Sequence, residues 1–116
     1  MDTVTEVETY QATIYCGLKP KDRSMQRPIW DAKQICQEYV DSVGLCVSFT
    51  ETEFIYNEGR EPGIIVGLIN YPRFPATPEF IRDRAMVLAG MLKDAYRQKR
   101  VSVVCTDKTF MLGEIE

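Results

Sequence analysis

Polar and apolar residues alternate one for one over positions 9–18, TYQATIYCGL. Tyr10, Ala12, Ile14, Cys16 and Leu18 share one side, Thr9, Gln11, Thr13 and Tyr15 the other. A period of two with β-branched content predicts a half-buried strand. The polar stretch 19–27 predicts a loop, and Pro28 suits the first turn of a helix. The spacing then changes to threes and fours: Ile29, Ala32, Ile35, Cys36, Tyr39, Val40 and Val43 form one stripe, which Gly44 ends. Alternation returns at 45–56, where Leu45, Val47 and Phe49 share a face. NEGREPG at 57–63 is dense in turn formers and predicts a hairpin connection. Residues 64–71 are apolar on both faces, as in a central strand, and Gly67 predicts a close backbone approach. After PRFPA at 72–76, Thr77 predicts a helix cap, with Pro78 first and Glu79 in the first turn. Its stripe is Ile81, Ala85, Leu88, Ala89, Leu92, Ala95 and Tyr96, with Arg97, Lys99 and Arg100 in the last turn. Residues 101–106 predict a fourth strand and 109–112 a short fifth.

The order is β-α-β-β-α-β with an appended strand. Two right-handed crossovers with a hairpin between them predict an α+β, ferredoxin-like βαββαβ sandwich. Its antiparallel sheet has the order 4-1-3-2, with both helices on one face. Residues 1–116 make one domain, with 1–8 as a loose N-terminal segment. The uncovered face carries either Ile65, Ile69 and Tyr71 or Ile64, Val66 and Leu68. Either set is an outward apolar strand, which predicts self-association into a homo-oligomer.

Composition narrows the functions. A formal charge of −3 argues against general nucleic-acid binding. No apolar run reaches the roughly 18 residues of a membrane helix. The acidic start, MDTVTEVE, is unlike a signal peptide. Cys16, Cys36, Cys46 and Cys105 are dispersed without a C-x-x-C pair, which predicts reduced thiols in a cytoplasm. The chain has no histidine, which removes the usual general base, the Ser-His and Cys-His pairs and the commonest zinc ligand. That lowers the expectation of catalysis without excluding Asp, Glu, Lys or Tyr chemistry. No Gly-rich phosphate loop and no RNA-binding aromatic motif stands in the sequence, and no cofactor or metal is expected.

The candidate ligand site rests on the first and third strands pairing centrally and in parallel. Their following loops would then leave the sheet at one edge, beside both helix N-termini. The first loop brings Lys19, Lys21, Arg23 and Arg27 against Asp22, and the second Tyr71, Arg73 and Phe74, with Thr77 at the cap. Helix N-termini and arginine suit a phosphate or carboxylate, and an aromatic ring could stack on a base. Solvated loop cations and a rigid Pro-bracketed turn are the plain alternative. Glu51, Glu53, Glu58 and Glu61 form an acidic group around the hairpin. Such a run more often marks a solvated edge that resists aggregation than a metal or acid site.

The segment Thr50-x-Thr52-x-Phe54-x-Tyr56-x-x-Gly59-x-Glu61-x-Gly63, running into INYPRFP at 69–75, resembles small uncharacterised accessory proteins of tailed bacteriophages. The resemblance implies action in the host cytoplasm, including inhibition of host defence, and assigns no site residues. The leading functional expectation is a non-enzymatic oligomeric binder of a small anionic ligand, a nucleotide, acting by sequestration or sensing. The second is an inhibitor or adaptor acting on a host protein, and the third a small enzyme that works without histidine.

Overall fold

The computed structural model describes residues 1–115. Its elements follow the hydrophobic pattern: β1 (Gln11–Gly17), α1 (Ile29–Val43), β2 (Ser48–Tyr56), β3 (Gly59–Ile69), α2 (Pro78–Ala95), β4 (Arg100–Cys105) and β5 (Thr109–Gly113). The five strands form one sheet in the order β2-β3-β1-β4-β5, with every neighbouring pair antiparallel. This is the ferredoxin-like α+β sandwich with a fifth strand at the β4 edge.

Alternation on the strands sorts side chains between the two faces. Ala12, Ile14, Cys16, Ile64, Val66, Leu68, Val101, Val103 and Cys105 are buried toward the helices. There they meet Ala32, Cys36 and Tyr39 of α1 and Ile81, Ala85, Leu88, Ala89 and Leu92 of α2. Each large aliphatic side chain buried in this way contributes about 1.5–3 kcal/mol. The other face is uncovered: Tyr15, Ile69, Val104 and Met111 are exposed, and Ile65 is half-buried. Of the two sets considered for that face, the one containing Ile65 and Ile69 lies outward.

The helix ends are held in different ways. The Thr77 hydroxyl accepts from the Phe80 N–H at 3.1 Å, and Pro78 opens α2. Gly44 ends α1 at φ 73, a left-handed position that glycine takes without strain. α1 has no side-chain cap at its start. The residue before it is anchored to the end of α2, where the Tyr96 hydroxyl donates to the Pro28 carbonyl at 2.7 Å.

Two boundaries depart from the sequence pattern. The hairpin turn is only Asn57–Glu58, with Glu58 at φ 61, so most of NEGREPG is strand. α2 stops at Ala95, and Arg97, at φ 55, lies beyond its last turn. Among the described residues, no helix is long and apolar enough to cross a membrane.

Candidate functional site

The central pair β1·β3 is antiparallel, which corrects the parallel pairing on which the sequence-based site rested. Gly17 at the end of β1 faces Gly63 near the start of β3, and Gln11 faces Ile69 at the far end. A right-handed β-α-β crossover makes β1 and β2 parallel, so the hairpin must return β3 the opposite way. The loop after β1 and the start of α1 therefore lie at one end of the sheet, and the loop after β3 and the start of α2 at the other.

The eight candidate residues are thereby divided. At the first end, Arg27 serves the scaffold: its Nε donates to Asp31 at 3.1 Å, a terminal N–H donates to the Ala95 carbonyl, and its guanidinium lies 5.6 Å from the Tyr96 ring centroid. Lys19 and Arg23 have exposed side chains, and Lys21 turns inward. At the second end, Tyr71 and Phe74 stack with centroids 5.3 Å apart and Arg73 is exposed. Tyr71, Phe74 and Thr77 line a largely apolar cavity of about 390 Å³. The exposed Cys46 thiol approaches the Tyr71 hydroxyl at 3.4 Å, and that hydrogen bond with partial burial raises the tyrosine's pKa.

The acidic group is also divided. By register Glu51 and Glu53 share the helix-side face, where Glu51 lies 3.7 Å from Lys33 of α1. Glu58 is in the turn, and Glu61 faces the open side. Among the described residues, no group of three or more His, Cys, Asp or Glu is placed to hold a metal ion.

Glu61 is the residue the sequence reading placed wrongly. It is 9% exposed, far from the solvated edge expected of it. It sits in a cleft of about 500 Å³ at the Gly17–Gly63 end of the open face, lined by Tyr15, Lys21, Phe54, Gln98, Lys99 and Arg100. Two glycines make the room. The Glu61 carboxylate lies over Gly17, where a methyl would stand 2.6 Å from Oε2, and a methyl on Gly63 would collide with the Phe54 ring. Lys21 Nζ donates to Glu61 Oε1 at 2.9 Å, and the Lys19 N–H donates to Oε2 at 3.2 Å. Gln98 Nε2 fastens the same loop by donating to the Lys19 carbonyl at 2.6 Å and to the Tyr96 carbonyl at 3.0 Å.

Two further groups are tuned by this end of the sheet. Burial, and then the nearby Glu61 charge, push the Cys16 thiol up to about 12, so it stays protonated and inert at neutral pH. Asp22 is held down to about 2 by hydrogen bonds from Ser24 and then by Arg97, whose Nε lies 2.7 Å from its carboxylate. The loop carrying Lys21 is thus tied to the residues that follow α2. The cleft combines a carboxylate, several cations and two aromatic rings, which suits a ligand with both charged and flat parts. A pattern was available in the sequence: Gly59, Glu61 and Gly63 alternate onto one face, where the two glycines lie under the Tyr56 and Phe54 rings on either side of the carboxylate.

No protein-family model matches the chain, and no curated protein matches its sequence. Its fold does match solved structures. A phage SAM lyase in the apo state shares it with a TM-score of 0.75 and 17% identity, over 90% of this chain and 89% of that one. A phage SAM lyase in complex with S-methyl-5′-thioadenosine shares it with a TM-score of 0.80 and 16% identity, over 98% and 96%. These neighbours are phage proteins, in line with the phage resemblance, and the second binds a small ligand. They also correct the expectation of a non-enzymatic binder, because both of these structures that share the fold are those of a SAM lyase. The lack of histidine does not exclude such chemistry, for which carboxylate, lysine and tyrosine groups remain. At this level of identity the likeness is one of fold, carried over nearly the whole of both chains.

Proposed function

We propose that the chain is a phage enzyme that cleaves S-adenosylmethionine (SAM) and leaves S-methyl-5′-thioadenosine. The observation that carries this reading is the near full-length fold match to a SAM lyase solved with that thioadenosine. The cleft around Glu61 supports it from this chain's own residues. Tyr15 and Phe54 offer flat surfaces for a nucleoside, and Glu61, Lys21 and Lys99 offer partners for charged ends.

The chemistry fits such a lining. The bond broken joins the sulfonium sulfur to the amino-acid carbon chain, and its electron pair stays on sulfur. The sulfonium becomes a neutral thioether, so neither oxidant nor water is consumed. The fate of the carbon chain identifies the route: closure on its own carboxylate gives a lactone, and loss of a proton gives an unsaturated amino acid.

A phage enzyme of this kind acts in the host cytoplasm and removes the methyl donor on which host methyl transfer depends. Self-association belongs to the same reading: Tyr15, Ile69, Val104 and Met111 leave the open face apolar, and a second copy would cover it. The test is to incubate the folded protein with SAM and separate the products by chromatography with mass detection. Methylthioadenosine that accumulates in proportion to enzyme supports the proposal. SAM that remains intact beside the folded protein overturns it.

A further inference from the structure

The segment before β1 has the composition of a strand and no strand beside it. Thr3, Val4, Thr5, Val7 and Thr9 are β-branched, five of the seven residues from 3 to 9. Residues 1–6 are nevertheless exposed, Val4 at 98%. Among the described residues, the first hydrogen bond on the segment is at the Glu8 carbonyl, which accepts from Asn70 Nδ2 at 2.7 Å. What precedes it stands out as an arm. The molecule measures 54 × 27 × 23 Å, whereas its longest strand, the 11 residues of β3, spans about 36 Å. Its radius of gyration is 15.2 Å, where a compact chain of this length has about 13 Å.

The arm is badly placed to pair within its own sheet. It continues β1 beyond the Gln11–Ile69 end, the end at which β5 also starts. To lie outside its own β5 it would have to reverse direction and cross three strand spacings, about 14 Å. Crossing alone takes about four residues, which leaves too few to pair.

The two sheet edges offer different receptions to an arm from another copy. β2 carries Glu51 and Glu53 and runs into Glu58, charges that deter an added strand and repel an arm bearing Asp2, Glu6 and Glu8. β5 has no such guard: Thr109–Gly113 contains no charged residue, and Met111 is exposed. The exposed Lys108 precedes it. Lys99, also exposed, stands beside its end, where the Lys99 carbonyl accepts from the Glu114 N–H at 3.0 Å.

We propose that residues 2–8 of one copy add to the β5 edge of a second copy as a sixth strand. Main-chain hydrogen bonds supply the pairing, and the acidic arm meets lysines instead of glutamates. The junction is independent of the chemistry in the Glu61 cleft.

Sedimentation and hydrogen exchange of the full chain at micromolar concentration test it, beside a chain lacking residues 2–8 and a full-length Thr5→Pro variant, whose proline cannot donate to a ladder. The full chain sediments as more than one copy. Its β5 amides exchange about tenfold or more slowly than those of either variant. Exchange in β2 and β3 stays within about twofold in all three proteins, which shows that the fold is intact. A full chain that sediments as a monomer overturns the proposal. Copies joined only through the open face would show equal β5 exchange in the three proteins, and that also overturns it. Protection lost from β2 instead of β5 rules out the β5 edge.

Discussion

Gly17→Ala adds one methyl at the most crowded point of the cleft. Gly17 is not among the residues at positive φ, so alanine fits the backbone there. By loss of unfolded-chain entropy alone the change would stabilise the fold by about 0.4–1 kcal/mol. The structure opposes it: the methyl would stand 2.6 Å from Glu61 Oε2, 2.9 Å from its Cδ and 3.0 Å from Gln98 Oε1. The carboxylate must withdraw, and its contacts with Lys21 at 2.9 Å and the Lys19 N–H at 3.2 Å go with it. One hydrogen bond to a charged group is worth about 1.5–3 kcal/mol. Subtracting the entropic gain leaves a net loss of about 1–2 kcal/mol, or a fall in Tm of about 4–8 °C for a chain of this size. Thermal and urea denaturation measure it, with the urea m-value unchanged. The same substitution in a Lys21→Met background should cost clearly less, because the pair it disturbs is already gone. A Gly17→Ala protein as stable as wild type would refute the reasoning, and so would an equal cost in both backgrounds.

Two further outcomes follow from the titrating groups. The Asp22 carboxyl lies below its unfolded value of about 3.8, so its contribution is present above that pH and is lost as pH falls through about 2. The Tm difference between wild type and Asp22→Asn should therefore shrink between about pH 4 and pH 2, and a difference that is flat with pH contradicts the Ser24 and Arg97 contacts. Burial pushes the Cys16 and Cys36 thiols up to about 12 and about 11, Cys105 is buried, and Cys46 is exposed. A thiol-specific reagent should label one cysteine per folded chain quickly, that one being Cys46, and all four after denaturation; fast labelling of a second site contradicts the packing.

Most of the fold was legible because periodicity reports which face is buried. The set Tyr10, Ala12, Ile14, Cys16 and Leu18 is buried throughout, the α2 stripe is buried but for the half-buried Ala95, and the α1 stripe is buried at Ala32, Cys36 and Tyr39 and half-buried at its flanks. Strand direction was not legible in the same way, since a period of two is identical in parallel and antiparallel strands. Direction follows from connectivity, and the parallel pairing of β1 with β3 ignored the hairpin between β2 and β3. That error joined Lys21 to Tyr71 in one imagined site, although their loops leave opposite ends of the sheet. Glu61 was missed for a local reason. Glycine, proline and charge at 57–63 have turn chemistry, but Glu58 alone absorbs the positive φ, and β3 begins at Gly59. Gly63, which looked like a loop residue, is a strand position that leaves room for the Phe54 ring beside the cleft.

The uncapped start of α1 bears on the order in which the chain can assemble. Its first turn relies on the Tyr96 hydroxyl, contributed from 68 residues away, and on the Arg27 contact with the Ala95 carbonyl at the same separation. The local Arg27–Asp31 pair is solvent-exposed and weak, so the turn becomes secure only once α2 has docked and a long loop has closed. The segment between β1 and α1, which carries Lys21, is framed by the same late contacts. Until they form, Glu61 lacks its lysine. Completion of the Glu61 cleft is in this sense the last property the chain acquires, and the first it loses when the two helix ends separate.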